Sequence, residues 1–135
     1  MMEAADRTVV IVEDVEPCGS TLEIALAALT GVHIQVMYES EAAWRFLKND
    51  EAAHVCALVT DLHMPGMDGF ELIQRVRSDW HYKDVPIVVI SGSTDPQTPS
   101  RVAKLGANAF FAKPYSPVQV RAKLEQLLHG TPSHP

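Results

Sequence analysis

The sequence predicts a doubly wound α/β domain, a parallel sheet with helices on both faces. Three observations predict it. The runs Val9-Val10-Ile11-Val12, Val55-Cys56-Ala57-Leu58-Val59 and Ile87-Val88-Val89-Ile90 are continuously apolar, as strands buried on both faces require. Segments of helical period lie between them. Strand and helix signals alternate five times, and no linker interrupts them.

The first crossover places Leu22, Ala25, Leu26 and Leu29 at i, i+3, i+4 and i+7, with Pro17 suited to a first helical turn and Gly31 to the stop beyond Thr30. Val32, Ile34, Val36 and Tyr38 then alternate with His33, Gln35 and Met37, which predicts a second strand at the sheet edge. Ser40 is positioned to cap a second helix carrying Trp44 and Leu47. After the third strand, Phe70, Ile73 and Val76 mark a third helix. Ala109-Phe110-Phe111-Ala112 is a short fifth strand, and Val120, Leu124, Leu127 and Leu128 mark the last helix.

The fourth helix is constrained by its prolines. With Asp95 as cap, Pro99 would fall at the fourth helical position and delete the first intrahelical donor. The segment "SGSTDPQTPSRVAKLGA" therefore predicts a late, short helix with Thr98 as cap and Pro99 at the first position.

A chain of 135 residues buries roughly two-thirds of its unfolded surface, enough for one domain without staples. A content of 47% hydrophobic and 21% charged residues fits a soluble globular protein. The net charge of -6, with scattered lysines and arginines, argues against direct nucleic-acid binding. Apolar runs this short do not span a membrane, and the expected compartment is the cytoplasm. Cys18 and Cys56 fit neither a zinc site nor a disulfide framework and are expected to be reduced. Residues 1–129 are expected to form the domain, and the Pro-rich 130–135 a frayed, disordered tail or the start of a linker.

In open α/β sheets a ligand sits outside the carboxyl ends of the strands. The first strand ends on Glu13-Asp14, the third on Asp61, the fourth on Ser91-Gly92 and the fifth on Lys113-Pro114. Singly, each has a bland reading: a helix cap, a turn hydroxyl, a solvated lysine. Together they place three carboxylates, a hydroxyl and an ammonium on one rim. Clustered carboxylates require a cation, and hard oxygen donors of this kind favour Mg²⁺. Lys113 and Ser91 suit phosphoryl oxygens. Because no GxxxxGK[ST] nucleotide cradle is present, a protein carboxylate is the expected nucleophile.

These residues carry a resemblance. The motifs "VVIVEDVEP", "ALVTDLHMPGMDGFEL", "VPIVVISGS" and "LGANAFFAKPY" resemble the receiver domain of two-component response regulators, from about Thr8 to Leu128. The resemblance implies a five-stranded parallel sheet of order 2-1-3-4-5 with five helices, the CheY-like form of the flavodoxin-like fold. It implies that Asp61 accepts a phosphoryl group from a histidine kinase or phosphotransfer domain. Glu13, Asp14, Asp61 and the backbone carbonyl of His63 would hold Mg²⁺, and Lys113 would pair with the phosphoryl oxygens. It also implies a cis Lys113-Pro114 bond, with Ser91 and Phe110 as the switch pair that repacks an output surface. Such a domain is a switch rather than a turnover enzyme, catalysing only its own phosphorylation and dephosphorylation. The kinase, the output partner, homodimer formation and the choice between a stand-alone regulator and part of a hybrid protein stay open.

Three alternatives remain. A haloacid-dehalogenase-type phosphohydrolase wants a second Asp two positions after the nucleophile, where His63 stands. A flavodoxin-like carrier would use "SGSTDPQT" as phosphate loop, against an acidic rim. A degenerate scaffold receiver would not need the complete set of five polar residues. His54, His81, His129 and His134 are expected at the surface or at strand ends, Trp80 and Tyr82 as a plug over the sheet, and Met64 and Met67 under the turn. Asp68 reads as turn chemistry with Gly66 and Gly69, and the His63 side chain is expected to face solvent beside the acceptor, where it can shield or steer water.

Overall fold

A computed structural model describes residues 7–49 and 54–129; the expected tail lies outside the described residues. Five parallel strands, β1 (Arg7–Val12), β2 (Val32–Met37), β3 (His54–Thr60), β4 (Ile87–Ser91) and β5 (Ala109–Ala112), form one sheet of order β2-β1-β3-β4-β5. The helices are α1 (Glu16–Leu26), α2 (Ser40–Lys48), α3 (Gly69–Ser78), α4 (Thr98–Leu105) and α5 (Pro117–His129).

The continuous apolar runs divide by parity. Val10, Val12, Leu58 and Val89 face α2, α3 and α4, meeting Ala43, Leu47, Leu72, Ile73, Val76 and Val102. Val9, Ile11, Ala57, Val59, Val88 and Ile90 face the other way, onto Leu22 and Leu26 of α1 and Val120 and Leu124 of α5. Successive strand side chains point to opposite faces, so an unbroken apolar run supplies both cores at once. At about 1.5–3 kcal/mol per fully buried aliphatic side chain, these two layers dominate the stability of the sheet. β2 alternates between half-buried and exposed positions from Val32 to Val36, as an edge strand should, and ends on a half-buried Met37.

Several local expectations are corrected. α1 ends at Leu26 rather than near Thr30, because the amide of Leu29 turns back to Leu26 O at 2.9 Å in a tight i→i+3 bond. Leu29 stays buried from the turn that follows, and Gly31 takes φ 78°. Ser40 does not cap α2, whose cap position is Glu39. The Ser40 hydroxyl instead donates to Met67 O and ties α2 to the loop after β3. α4 starts late and is eight residues long, as its prolines dictate, but the cap position is Gln97 and Pro99 is the second helical residue. The hydroxyl of Thr98 is engaged elsewhere, 3.0 Å from Ser93 Oγ.

The pair expected to plug the sheet divides. A single 3₁₀ turn over Trp80–Tyr82 buries Tyr82, whose hydroxyl donates to Leu47 O at 2.5 Å, and leaves Trp80 81% exposed. Adjacent to it, Arg77 donates through Nε and Nη2 to Gly106 O at 3.0 and 2.7 Å and through Nη1 to Tyr82 O at 3.1 Å. One guanidinium thus links α3, the 3₁₀ turn and the end of α4. Gly106, at φ 113°, leaves the room that this side chain needs.

Candidate functional site

Asp61 follows the last residue of β3 at the carboxyl end of the sheet, and its neighbours hold it from both sides. Its amide donates to Val12 O at 3.0 Å, and Thr60 Oγ1 donates to its carbonyl at 2.7 Å. The amide of Leu62 donates to Asp61 Oδ1 at 2.6 Å. Gly69, the first residue of α3, then passes so close that a Cβ there would overlap Asp61 O and stand 2.7 Å from Leu62 Cα. Its amide donates to Leu62 O at 2.8 Å. Sequence reasoning took Gly69 for turn chemistry; its backbone φ needs no glycine, and close approach is what excludes a side chain.

Glu13, one residue beyond β1, has no exposed surface. Its Oε2 accepts from the amide of Val15 at 3.2 Å, and Lys113 Nζ donates to its Oε1 at 3.0 Å and to Asp61 Oδ2 at 2.8 Å. Burial pushes the Glu13 carboxyl above the ordinary range, and the Lys113 hydrogen bond opposes that push. Burial also works against the Lys113 charge, yet hydrogen bonds to Asp61 and Glu13 outweigh it and hold the ammonium well above the usual lysine range. Lys113 is therefore a fixed cation between two acids.

Asp14 is exposed, and one carboxylate oxygen from each of Glu13, Asp14 and Asp61 can be chosen so that all three lie within 4.8 Å of one another. Two buried acids backed by an ammonium, with a third at the entrance, form a nest of hard oxygen donors that could hold a divalent cation.

Ser91 ends β4 fully buried; its Oγ accepts from the amide of Ser93 at 3.0 Å and its carbonyl from the amide of Lys113 at 2.8 Å. The Lys113-Pro114 bond is cis. Phe110 is half-buried against the core under α4, beside a pocket of about 80 Å³ lined also by Pro99 and Val102. His63 is exposed and packs in a T-shape with Phe70, with ring centroids 6.5 Å apart. Met64 and Met67 are buried beneath the loop. Asp68 caps α3, accepting from the amide of Glu71 at 2.9 Å, a stronger role than the turn assigned from sequence. The fold thus brings Glu13, Asp14, Asp61 and Lys113 together, with Ser91 at the end of β4 and His63 on the loop after β3 at the same rim. Thr60, Leu62 and Gly69, which fix the orientation of Asp61, were missed.

A doubly wound sheet with clustered acids and a lysine at its carboxyl rim defines a class: α/β domains with a strand-end site for a cation and an anionic group. Comparison with known proteins narrows the class. The family model "Response regulator receiver domain" matches residues 9–125. Curated relatives include a chemotaxis protein CheY homolog of Campylobacter jejuni, 36% identical over 91 residues covering 67% of this chain and 68% of that protein. Chemotaxis protein CheY1 of Helicobacter pylori is 36% identical over 86 residues, covering 64% and 68%. Among solved structures, the signal receiver domain of a DNA-binding response regulator from Colwellia psychrerythraea superposes with a TM-score of 0.81 at 26% identity, covering 92% of this chain and 99% of that one. The chain belongs to the response regulator receiver family of two-component signalling, whose members are generally not classical enzymes. Among the described residues no helix is long and apolar enough to cross a membrane.

Proposed function

We propose that Asp61 accepts a phosphoryl group from a phosphohistidine on a histidine kinase or phosphotransfer domain, and that residues 1–129 work as a cytoplasmic switch toward an output partner. One observation carries this: a nearly buried carboxylate whose Oδ2 meets the Lys113 ammonium at 2.8 Å, inside a nest of two further acids.

The nest fits Mg²⁺. Its donors are all carboxylate oxygens, joined on this reading by the His63 carbonyl, and Asp14 at the solvent side leaves room for water or phosphoryl oxygens. When bound, Mg²⁺ neutralises charge on the transferring phosphoryl oxygens. The chain supplies the rest. Leu62 N–H and Lys113 orient the Asp61 carboxylate for in-line attack, one of its oxygens bonds to phosphorus, and the phosphorus–nitrogen bond to the donor imidazole breaks. Lys113 then pairs with the new anionic oxygens. Ser91 donates its hydroxyl hydrogen to another, while its oxygen lone pair faces the Ser93 amide. Phe110 follows into the space that Ser91 leaves, repacking the surface of α4 and β5. Lacking a hydroxyl, Phe110 transmits this by packing alone.

The test is incubation with Mg²⁺ and a small acyl phosphate, followed by intact mass. The native chain gains one phosphoryl group and Asp61→Asn gains none. A native chain that gains none, as a scaffold receiver would, or an equal gain in Asp61→Asn, overturns the reading.

A further inference from the structure

The amino end of the sheet, opposite the acid rim, holds a gap. β3 begins before its neighbour does: its register with β4 starts at Leu58 opposite Ile87, so His54, Val55, Cys56 and Ala57 have β1 on one side and no strand on the other. Within this stretch the pairing with β1 passes from Thr8 and Val55 to Val9 and Ala57, a bulge that leaves Cys56 without a partner there as well. Across the gap stands the connection from α3 to β4. The two walls meet where Leu58 N donates to Pro86 O at 2.9 Å, and a cavity of about 500 Å³ opens between Val55 and Cys56 on one side and Trp80, Lys83 and Val85 on the other. The second wall is braced from behind. Tyr82 donates its hydroxyl to Leu47 O, and its carbonyl accepts from Arg77 Nη1 at 3.1 Å and from the amide of Val85 at 3.2 Å. Trp80 stands 81% exposed on this wall, with Lys83 Nζ 5.1 Å from its ring centroid. Tryptophan is enriched where proteins touch one another, and an indole this open has that character.

We propose that this gap is a docking site for an extended acidic segment of a partner protein, which lies along His54–Ala57 as a short added strand and covers Trp80. The backbone carries the first part of the argument, because a strand edge with free ladder positions is a template to which an extended peptide adds. Charge carries the second. The chain has a net charge of -6, yet Asp84 is the sole acid among the described residues lining the cavity, against Lys83 on the wall and Arg7 in register with His54. Lys83 is free to change partners. Its ion pair with Asp84, at 3.0 Å, joins side chains 47% and 86% exposed, and a pair so open is weak enough to give way to an incoming carboxylate. Four residues of strand offer few backbone bonds, so discrimination falls to one apolar side chain against the indole and one carboxylate at the ammonium beside it. The site lies at the far end of the sheet from Asp61 and does not depend on phosphoryl transfer.

The experiment titrates a synthetic hexapeptide of alternating valine and glutamate, blocked at both ends, into the isotope-labelled full chain and follows amide resonances by NMR. Those of His54 to Ala57 and of Trp80 to Val85 are expected to shift, while those of Asp61 and Lys113 stay in place. The same peptide with lysine for glutamate, or N-methylated at alternate residues, should bind at least about tenfold more weakly, the first through charge and the second through lost backbone donors. Trp80→Ala and Lys83→Glu should each weaken binding by a similar factor. Both side chains are exposed, and native urea midpoints in these variants separate lost contact from lost fold. The proposal is overturned if the glutamate peptide moves none of these amides at millimolar concentration, or moves only those of α4 and β5. Equal binding after N-methylation, or by Lys83→Glu, overturns it as well.

Discussion

Gly69 turns its bare Cα onto the carbonyl oxygen of Asp61, so that the first residue of α3 and the last turn of the chain out of β3 touch through backbone alone. The orientation of the Asp61 carboxylate depends on this contact, since Leu62, lying between the two, donates to Asp61 Oδ1 and accepts from Gly69 N. Gly69→Ala forces backbone against backbone, which cannot swing away as a flexible side chain can. It is expected to lower stability by at least about 1–3 kcal/mol, the usual range for overpacking, and to slow phosphoryl uptake. Urea denaturation and uptake measured on the same preparation check both; a variant with native stability would show that the loop relaxes.

How much of this was legible beforehand differs from residue to residue. Val9 to Val12 and Ile87 to Ile90 announce buried strands because periodicity and hydrophobicity are local properties. Strand-end acids are equally visible once the strands are placed. Gly69 looks like any glycine before a helix, because the atoms excluding its Cβ belong to residues 61 and 62 and meet it only in the fold. Trp80 and Tyr82 carry the same sequence signal, and the turn between them decides which is buried. Ser40 was assigned to the nearest helix start, whereas its partner Met67 lies 27 residues away.

Removing the Arg77 fork tests a contact with no short-range signal. Arg77→Ala leaves Gly106 O and Tyr82 O without their charged donor and should destabilise the domain by about 1.5–3 kcal/mol, the usual range for hydrogen bonds to charged groups. Arg77→Lys should recover only part, because an ammonium lacks the planar fork. Hydrogen exchange should locate the loosening at the α4–β5 connection.

Divalent cations should stabilise the native chain by mass action. At tenfold excess over the dissociation constant, Mg²⁺ is expected to raise unfolding stability by about 1.4 kcal/mol. Asp14→Ala should abolish the increment with little effect on the metal-free fold, because Asp14 is exposed. An equal Mg²⁺ effect in both proteins would place the ion elsewhere.

Cys56 provides the pH prediction. Burial raises its thiol above the ordinary value, and nearby Arg7 offsets part of that rise. The folded value thus exceeds the unfolded one, and between the two the unfolded chain has released a proton that the folded chain keeps. Stability is then fully present below the ordinary thiol value of about 8.5 and is lost as pH rises through the higher folded value. Urea midpoints at mildly and strongly alkaline pH should fall less in Cys56→Ala than in the native chain. In Cys18→Ser, alkylation of Cys56 should show its inflection above the ordinary thiol range.

The ammonium that bridges the acids arrives 100 residues after the first of them, from Glu13 to Lys113. During synthesis the three carboxylates are translated well before their counter-charge. Until Lys113 has been added, Glu13 and Asp61 lack the ammonium that bridges them, so the site is complete only in the finished domain.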